Sequence, residues 1–154
     1  MVKRIKVLRS ESAKTPWIVW NAVINCVHSS VQLNDMSPIQ RALRHVLTYH
    51  NLTCGGGLSH YFDSSYAVDD RELQASLTLV VGKYHADRHA YAVDCNEQYE
   101  LNPDAGDVYL ELMQPVESEV SDTEFANQIE KFAFQHLDEF VEFIEDDDSS
   151  TAPA

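Results

Sequence analysis

The sequence predicts an all-α fold, a single-domain bundle of about five to six helices, and three observations support this. Apolar residues recur at helical spacing through most of the 154 residues, helix-capping residue types precede these runs, and glycine and proline together number only ten. Hydrophobic residues make up 44% of the chain. A chain of this length can bury about two thirds of its unfolded surface, so one folded core is expected.

The best-marked helix begins just after Ser37. The Ser37 hydroxyl can accept a hydrogen bond from the amides of the first turn, and Gln40 can return one, which together form a capping box. Pro38 stands at the first helical position, where its missing N–H costs nothing. Apolar residues then follow at helical spacing, which predicts one buried stripe.

A run of three glycines ends that helix and begins a helical hairpin. Glycine reaches left-handed dihedrals without a Cβ penalty, so the run predicts a hinge followed at once by a second helix. Two aromatic residues after the hinge are expected to hold the second helix against the first. The structural motif comprises Gly55, Gly56, Gly57, His60, Tyr61 and Phe62.

The remaining periodicity predicts four further helices. They span about residues 15–29, 71–84, 87–100 and 122–145. Apolar and polar residues alternate near residues 107–113, which predicts one short extended segment there. Residues 115–120 are expected to form a loop.

Composition suggests three parts along the chain. Residues 1–14 are a basic N-terminal arm, which is either a short edge strand or a loose segment. Residues 15–145 are the helical domain. Residues 146–154 are an acidic tail that we expect to be disordered, because it lacks apolar residues to bury.

The negative charge is concentrated in the second half of the chain. The formal net charge is −14, and residues 94–148 hold eighteen acids against the single base Lys131. Such a surface repels nucleic acid and anionic membranes and attracts basic partners. We therefore expect no direct nucleic-acid binding and no membrane binding. The alternative is that the charge serves only solubility or adaptation to salt.

The number of cysteines and the length of the apolar segments indicate the cellular compartment. The three cysteines are an odd number without CxxC spacing, which favours a reducing compartment over a disulfide framework. The N-terminal segment lacks the long apolar core of a signal peptide, and residues 17–27, the most apolar stretch, are too short to span a bilayer. The expected location is the cytoplasm.

Signatures of catalysis are weak. His85 and His89 have a spacing that could face one metal ion, but the glutamate of the zinc-protease helix is absent, so surface histidines are the preferred interpretation. His60 and Asp63 beside the glycines could support acid–base chemistry, but a hydrogen bond from His60 to the backbone of the hinge is preferred. We expect no catalytic residue, no metal and no cofactor.

Acids toward the C-terminus are the best candidates for partner binding. On a helix over residues 122–145, Asp138, Glu142 and either Glu145 or Asp146 would lie one turn apart on a face that avoids the buried stripe. Charge would then recur at about 3–5 Å along the axis, against about 3.4 Å for the phosphates of one DNA strand. The candidates are Asp138, Glu139, Glu142, Glu145, Asp146 and Asp147, with a second cluster at Glu117, Glu119, Asp122 and Glu124.

The stretch around the glycines resembles the family of small helical DNA-mimic proteins. The features that carry the resemblance are Gly56-Gly57-Leu58-Ser59 before His60-Tyr61-Phe62, the segment Trp20-Asn21-Ala22, and the helix start at Ser37. The chain departs from the family pattern at Leu52, Gly55, His60 and Ser64. The resemblance covers roughly residues 15–85 and implies an all-helical fold, dimerisation and no catalytic residues.

Charge and resemblance together predict a protein that binds a basic protein of the DNA-binding class by displaying phosphate-like carboxylates. Two alternatives stay open. One is a small enzyme with a site near His60 and Asp63. The other is an interaction or immunity-type protein whose interface is apolar and involves Trp17, Trp20 or Phe143.

Overall fold

The computed structural model of the chain describes residues 3–146 and confirms the all-α class. Seven α-helices and one short parallel pair of strands make up this part of the chain. The helices are α1 (Arg9–Lys14), α2 (Trp17–Val27), α3 (Pro38–Asp63), α4 (Asp70–Val80), α5 (Lys83–Leu101), α6 (Gly106–Val120) and α7 (Thr123–Gln135). The strands are β1 (Ile5–Leu8) and β2 (Val141–Ile144), and 3₁₀ turns occupy Leu33–Asp35, Pro103–Ala105 and Leu137–Glu139.

The chain forms two compact units. The first contains the described residues up to Gln40 and those from His136 onward, and the second is Arg41–Gln135. In the first unit β1 pairs in parallel with β2, with Ile5 opposite Val141 and Leu8 opposite Ile144. Helix α2 packs on both strands and buries its apolar face. Within the basic arm the strand alternative therefore holds for Ile5–Leu8, whereas Arg9–Lys14 is a helix that the sequence did not predict.

The second unit consists of α4 to α7 and most of α3. Helix α5 packs between α4 and α6, and α7 contacts both α4 and α6. The buried side chains recur at helical spacing, as the sequence predicted. The largest fully buried ones are Tyr49, Tyr61, Phe125, Leu43, Leu58, Leu73, Leu77, Met113, Ile129 and His89.

The start and the break of α3 confirm the predicted signals. The Ser37 hydroxyl accepts a hydrogen bond from the Gln40 N–H (3.2 Å), and the Gln40 side-chain oxygen accepts one from the Ser37 N–H (3.3 Å). The helix is interrupted at Gly57, whose φ of 82° and ψ of 178° are not helical. This dihedral pair is essentially restricted to glycine, so Gly57 is the one of the three glycines whose backbone conformation requires glycine.

Three predictions of local structure were wrong. Residues 107–113 are not extended, and 115–120 are not a loop, because both belong to α6. The apolar alternation misled because Val108, Leu110 and Leu112 are exposed on the outer side of this helix. The predicted helix over residues 122–145 ends at Gln135, and a strand follows it. In that strand, Val141 and its aromatic neighbour Phe143 pair with β1 instead of continuing the helix.

No helix within residues 3–146 combines the length and the apolar character that a membrane crossing requires.

Candidate protein-binding surface

The acids near the C-terminus do not form the expected helical ridge. Asp138 and Glu139 lie in a 3₁₀ turn, Glu142 lies on β2, and Glu145 and Asp146 follow that strand. Asp147 lies outside the described residues. Because a strand and a 3₁₀ turn do not place side chains one α-helical turn apart, the predicted phosphate-like spacing was wrong.

These C-terminal acids instead lie beside the basic residues of the N-terminal segment. The Arg9 Nε–H donates to Glu145 Oε1 at 2.5 Å, and the Ser10 hydroxyl donates to Asp146 Oδ1 at 2.6 Å. Lys6 and Glu142 are opposite each other in the strand register. The Arg9–Glu145 pair is exposed, so its contribution to stability is small, but it offsets part of the local negative charge.

In the second cluster, Glu117 has a structural contact. Its Oε2 accepts the Leu58 N–H at 3.0 Å, immediately after the break in α3. A Cβ built on Gly57 would lie 2.7 Å from the same oxygen, so the carboxylate occupies the space that the glycine leaves. Glu117 therefore supplies an acceptor for an amide at the beginning of a new helical segment.

The other members of that cluster also make local bonds. Glu119 accepts the Arg88 Nε–H at 2.9 Å and the Tyr84 hydroxyl at 3.0 Å. These hydrogen bonds raise the pKa of the Arg88 guanidinium and of the Tyr84 hydroxyl. The Asp122 side chain accepts the Glu124 N–H at 3.1 Å, as a helix N-cap does.

A different group of acids is exposed and unpaired in the second unit. Residues 89–130 contain eleven acids and neither lysine nor arginine, and they belong to the acidic stretch that the sequence already showed. Five of these acids occupy the end of α5, the following turn and the start of α6. Within residues 3–146 none of the five makes a side-chain hydrogen bond or ion pair. We call Glu97, Glu100, Asp104, Asp107 and Glu111 the α5–α6 acidic face.

Apolar side chains are exposed among these carboxylates. Leu101 is 79% exposed at the end of α5, and Val108 is 56% exposed in the first turns of α6. Leu110 and Leu112 are exposed beside them. Tyr99 covers the start of α6, where a Cβ on Gly106 would lie 2.5 Å from its ring. The surface therefore combines negative charge with exposed apolar area.

The glycine motif is structural in its inner part. Tyr61 is buried, its ring meets that of Tyr49 edge-to-face at 4.9 Å, and its hydroxyl accepts the Val68 N–H at 3.0 Å. Burial raises the pKa of Tyr61 to about 12. Phe62 stacks on His89 with 6.1 Å between ring centroids. Tyr61 thus holds the segment after the hinge against the first part of α3, as predicted, whereas Phe62 packs on α5.

His60 and Asp63, the pair considered for acid–base chemistry, are both exposed. The His60 side chain lies over Gly56, where an added Cβ would be 2.8 Å from it. A cavity of about 320 Å³ in the second unit is lined by residues of α4 and α7 with Val81, and neither His60 nor Asp63 is among them.

The spaced histidines of α5 face a buried aromatic cluster, so the expectation of surface histidines was wrong for His89. His89 is fully buried, its Nε2 lies 3.2 Å from Asp70 Oδ1, and burial lowers its pKa against the opposing effect of that carboxylate. The His85 ring meets Phe125 edge-to-face at 4.8 Å. Within the described residues, no three His, Cys, Asp or Glu side chains converge as a metal site would require.

The residues of the apolar-interface alternative are placed differently from one another. Trp17 is 64% exposed at the start of α2. Trp20 and Phe143 are half-buried, and the Arg9 guanidinium lies 5.6 Å from the centre of the Phe143 ring.

Comparison with known proteins gives no match: no protein family, no curated protein and no solved structure is detectably similar to the chain. The resemblance to the DNA-mimic family therefore stays a prediction.

Proposed function

We propose that the chain is a non-catalytic acidic module that captures a basic protein through the α5–α6 acidic face. A DNA-binding protein is the partner class, because such proteins carry the cationic surface that this face would attract. The C-terminal acids are assigned a different role, as countercharges to the basic N-terminal segment.

The observation that carries the proposal is the contrast between the two groups of acids. Residues 41–135 hold sixteen acids and six bases, a net charge of −10, whereas the rest of the chain holds nine acids and five bases. The α5–α6 acidic face has no countercharge among the described residues, while Glu145 and Glu142 have Arg9 and Lys6 beside them. Unpaired exposed carboxylates give the stronger long-range attraction for a cation.

The α5–α6 acidic face is similar to DNA in the sign of its charge but not in the spacing of its charged groups. Glu97 and Glu100 are three residues apart on α5, and Asp107 and Glu111 are four apart on α6, which gives one charge per about 4.5–6 Å along each helix axis. This is coarser than the phosphates of one DNA strand, at about 3.4 Å. We expect the face to recognise cationic partners by field and contact, without reproducing the phosphate repeat.

The test compares two fourfold variants that remove the same charge. One carries Glu100→Gln, Asp104→Asn, Asp107→Asn and Glu111→Gln, and the matched control carries Asp138→Asn, Glu139→Gln, Glu142→Gln and Glu145→Gln. Binding to a purified linker histone is measured by interferometry at two salt concentrations. At about 0.05 M NaCl the charges are weakly screened, and at about 0.5 M NaCl they are strongly screened.

We expect the first variant to weaken capture at least tenfold, which is about 1.4 kcal/mol, and the control to change it about threefold or less. Binding of the unchanged protein should fall steeply with salt. Equal losses in both variants, or capture that is indifferent to salt, would contradict the assignment of the surface. Circular dichroism of each variant checks that the fold is retained.

A further inference from the structure

Helix α6 presents its charged and apolar residues in adjacent stripes. Asp107 and Glu111 are four residues apart, so they lie one above the other on the exposed side of the helix. Val108 and Leu112 have the same spacing and form a stripe directly beside the carboxylates. Both aliphatic side chains are about half exposed, at 56% and 42%.

Leu110 extends the apolar character to the other flank of the carboxylates. At about 100° per residue, it lies on the opposite side of the Asp107–Glu111 stripe from Val108 and Leu112. It is 44% exposed. The two carboxylates are therefore bordered by aliphatic groups on both sides, an arrangement that a purely solubilising surface does not require.

Pro115 adds a backbone acceptor to this face. It lies inside α6 and is exposed. Because proline has no N–H, the carbonyl of Glu111 loses the donor that position 115 would otherwise supply. Because the Glu111 residue is exposed, this carbonyl and the neighbouring carboxylate together suit a partner side chain with several N–H donors.

We infer that this face of α6 binds an amphipathic cationic helix, in which lysine or arginine alternates with aliphatic side chains at helical spacing. The inference rests on the proposed function and deepens it by stating the form of the partner segment. Charge complementarity favours cationic residues in the partner, because residues 89–130 contain no lysine or arginine that could neutralise Asp107 and Glu111 locally.

The spacing selects a helix over an extended segment. Like groups on α6 recur after four residues, which is a rise of about 6 Å, and a partner helix repeats its side chains at the same interval. Side chains on one face of a strand recur after about 6.6–6.8 Å, and a twisted strand diverges from a helix axis within a few residues. A helix laid along α6 therefore keeps charged and apolar contacts in register for two turns.

The test uses three synthetic peptides of equal length and equal net charge. The first is a helical peptide of leucine and lysine with an apolar face, the second has the same composition in scrambled order, and the third replaces leucine with serine. The protein variants are Val108→Ser with Leu112→Ser, and Asp107→Asn with Glu111→Gln. Leu79→Ser is the control, because Leu79 is an equally exposed leucine on α4, at 51%.

We expect the unchanged protein to bind the amphipathic peptide at least tenfold more tightly than either of the other two. The Val108/Leu112 variant should lose that preference and bind the serine peptide as before. The Asp107/Glu111 variant should bind all three peptides more weakly, and Leu79→Ser should change nothing.

Two results would overturn the inference. One is an undiminished preference in the Val108/Leu112 variant, which would leave the proposed function intact as a purely electrostatic one. The other is sedimentation showing that the same variant abolishes self-association while the peptides never bind, which would make a second copy of the chain the occupant. Unchanged binding of the serine peptide by the Asp107/Glu111 variant, together with unchanged capture of the histone by the fourfold variant, would instead refute the proposed function.

Discussion

Gly57 is the residue on which the path of α3 depends most directly. Its dihedral angles of 82° and 178° are strained for any other residue, and the Glu117 carboxylate fills the space of the missing side chain. The carboxylate in turn accepts the Leu58 N–H. One glycine therefore allows both the change of direction and the close approach of an acid that α6 supplies.

Gly57→Ala should destabilise the protein by about 2–4 kcal/mol, because backbone strain adds to the loss of the Glu117 hydrogen bond. Gly55→Ala is the matched control, since a Cβ there meets nothing within 4 Å and the residue is helical. That change should stabilise by about 0.5–1 kcal/mol. Urea unfolding followed by circular dichroism measures both, and equal effects would show that the break does not depend on Gly57.

Histidines in the second unit link stability to pH. Burial lowers the pKa of His89, and it does the same for His45, His50 and His85. Below about pH 6.5 the unfolded chain therefore binds protons that the folded chain does not. Stability should be fully present above that pH and should decrease as the pH falls below about 6.5 toward the lowered pKa values of the folded state.

The variant His89→Gln removes one of these titrating groups. The glutamine amide can still donate a hydrogen bond to Asp70, so the variant changes the protonation without removing that contact. It should reduce the pH slope of the unfolding free energy by up to about 1.4 kcal/mol per pH unit. Urea titrations at three pH values provide the measurement. A protein that gains stability on acidification over this range would show that the histidines are not the controlling groups.

At the scale of elements, α6 combines a helix-breaking residue with an exposed binding face. Pro115→Ala would restore an N–H donor to the Glu111 carbonyl and remove a steric clash within the helix. The net gain should be about 2 kcal/mol, because the cost of about 3 kcal/mol for proline inside a helix is partly offset by about 0.4–1 kcal/mol from the more flexible unfolded chain. Thermal and urea unfolding measure this gain.

The same substitution should weaken binding of the amphipathic peptide by about threefold, which is about 0.65 kcal/mol, because the carbonyl is then occupied within the helix. Val116 is the next residue along the helix and is fully buried, so the change at position 115 leaves the packed side of α6 intact. Tighter binding together with higher stability would indicate that the freed carbonyl has no part in recognition.

Local signals predicted the helical elements well where several of them agreed. The capping box of Ser37 and Gln40, the glycine break and the Tyr61 anchor all belong to one continuous stretch, and each was confirmed. The end of the chain was different. Residues 137–144 have a helical apolar period, but β1 offers a strand to pair with, and such a long-range partner is not visible in local periodicity.

At the scale of the whole chain, composition predicted the sign of the charge and not the surface that displays it. The acids nearest the C-terminus were predicted to bind the partner because acids are densest in that part of the sequence. The structure places Arg9 and Lys6 next to them, from a segment more than 130 positions away in the sequence. The α5–α6 acidic face was missed because its apolar neighbours suggested an extended segment, which hid the exposed side of a helix.

Self-repulsion should make the folded state sensitive to salt. Residues 41–135 carry a net charge of −10, so raising NaCl from about 0.01 M to about 0.5 M should screen the repulsion and raise the Tm by several degrees. The fourfold variant of the α5–α6 acidic face removes part of the repulsion. It should melt higher than the unchanged protein at low salt and at nearly the same temperature at high salt.

The fourfold variant at residues 138–145 has the same net charge and should behave differently. It removes Glu145 and Glu142, the acids that lie beside Arg9 and Lys6, so the relief of repulsion is offset by the loss of favourable pairs. Differential scanning calorimetry at both salt concentrations compares the two variants. Equal increases in Tm at low salt would mean that the C-terminal acids are as unpaired as those of α5 and α6, and the distinction on which the proposed binding surface rests would be lost.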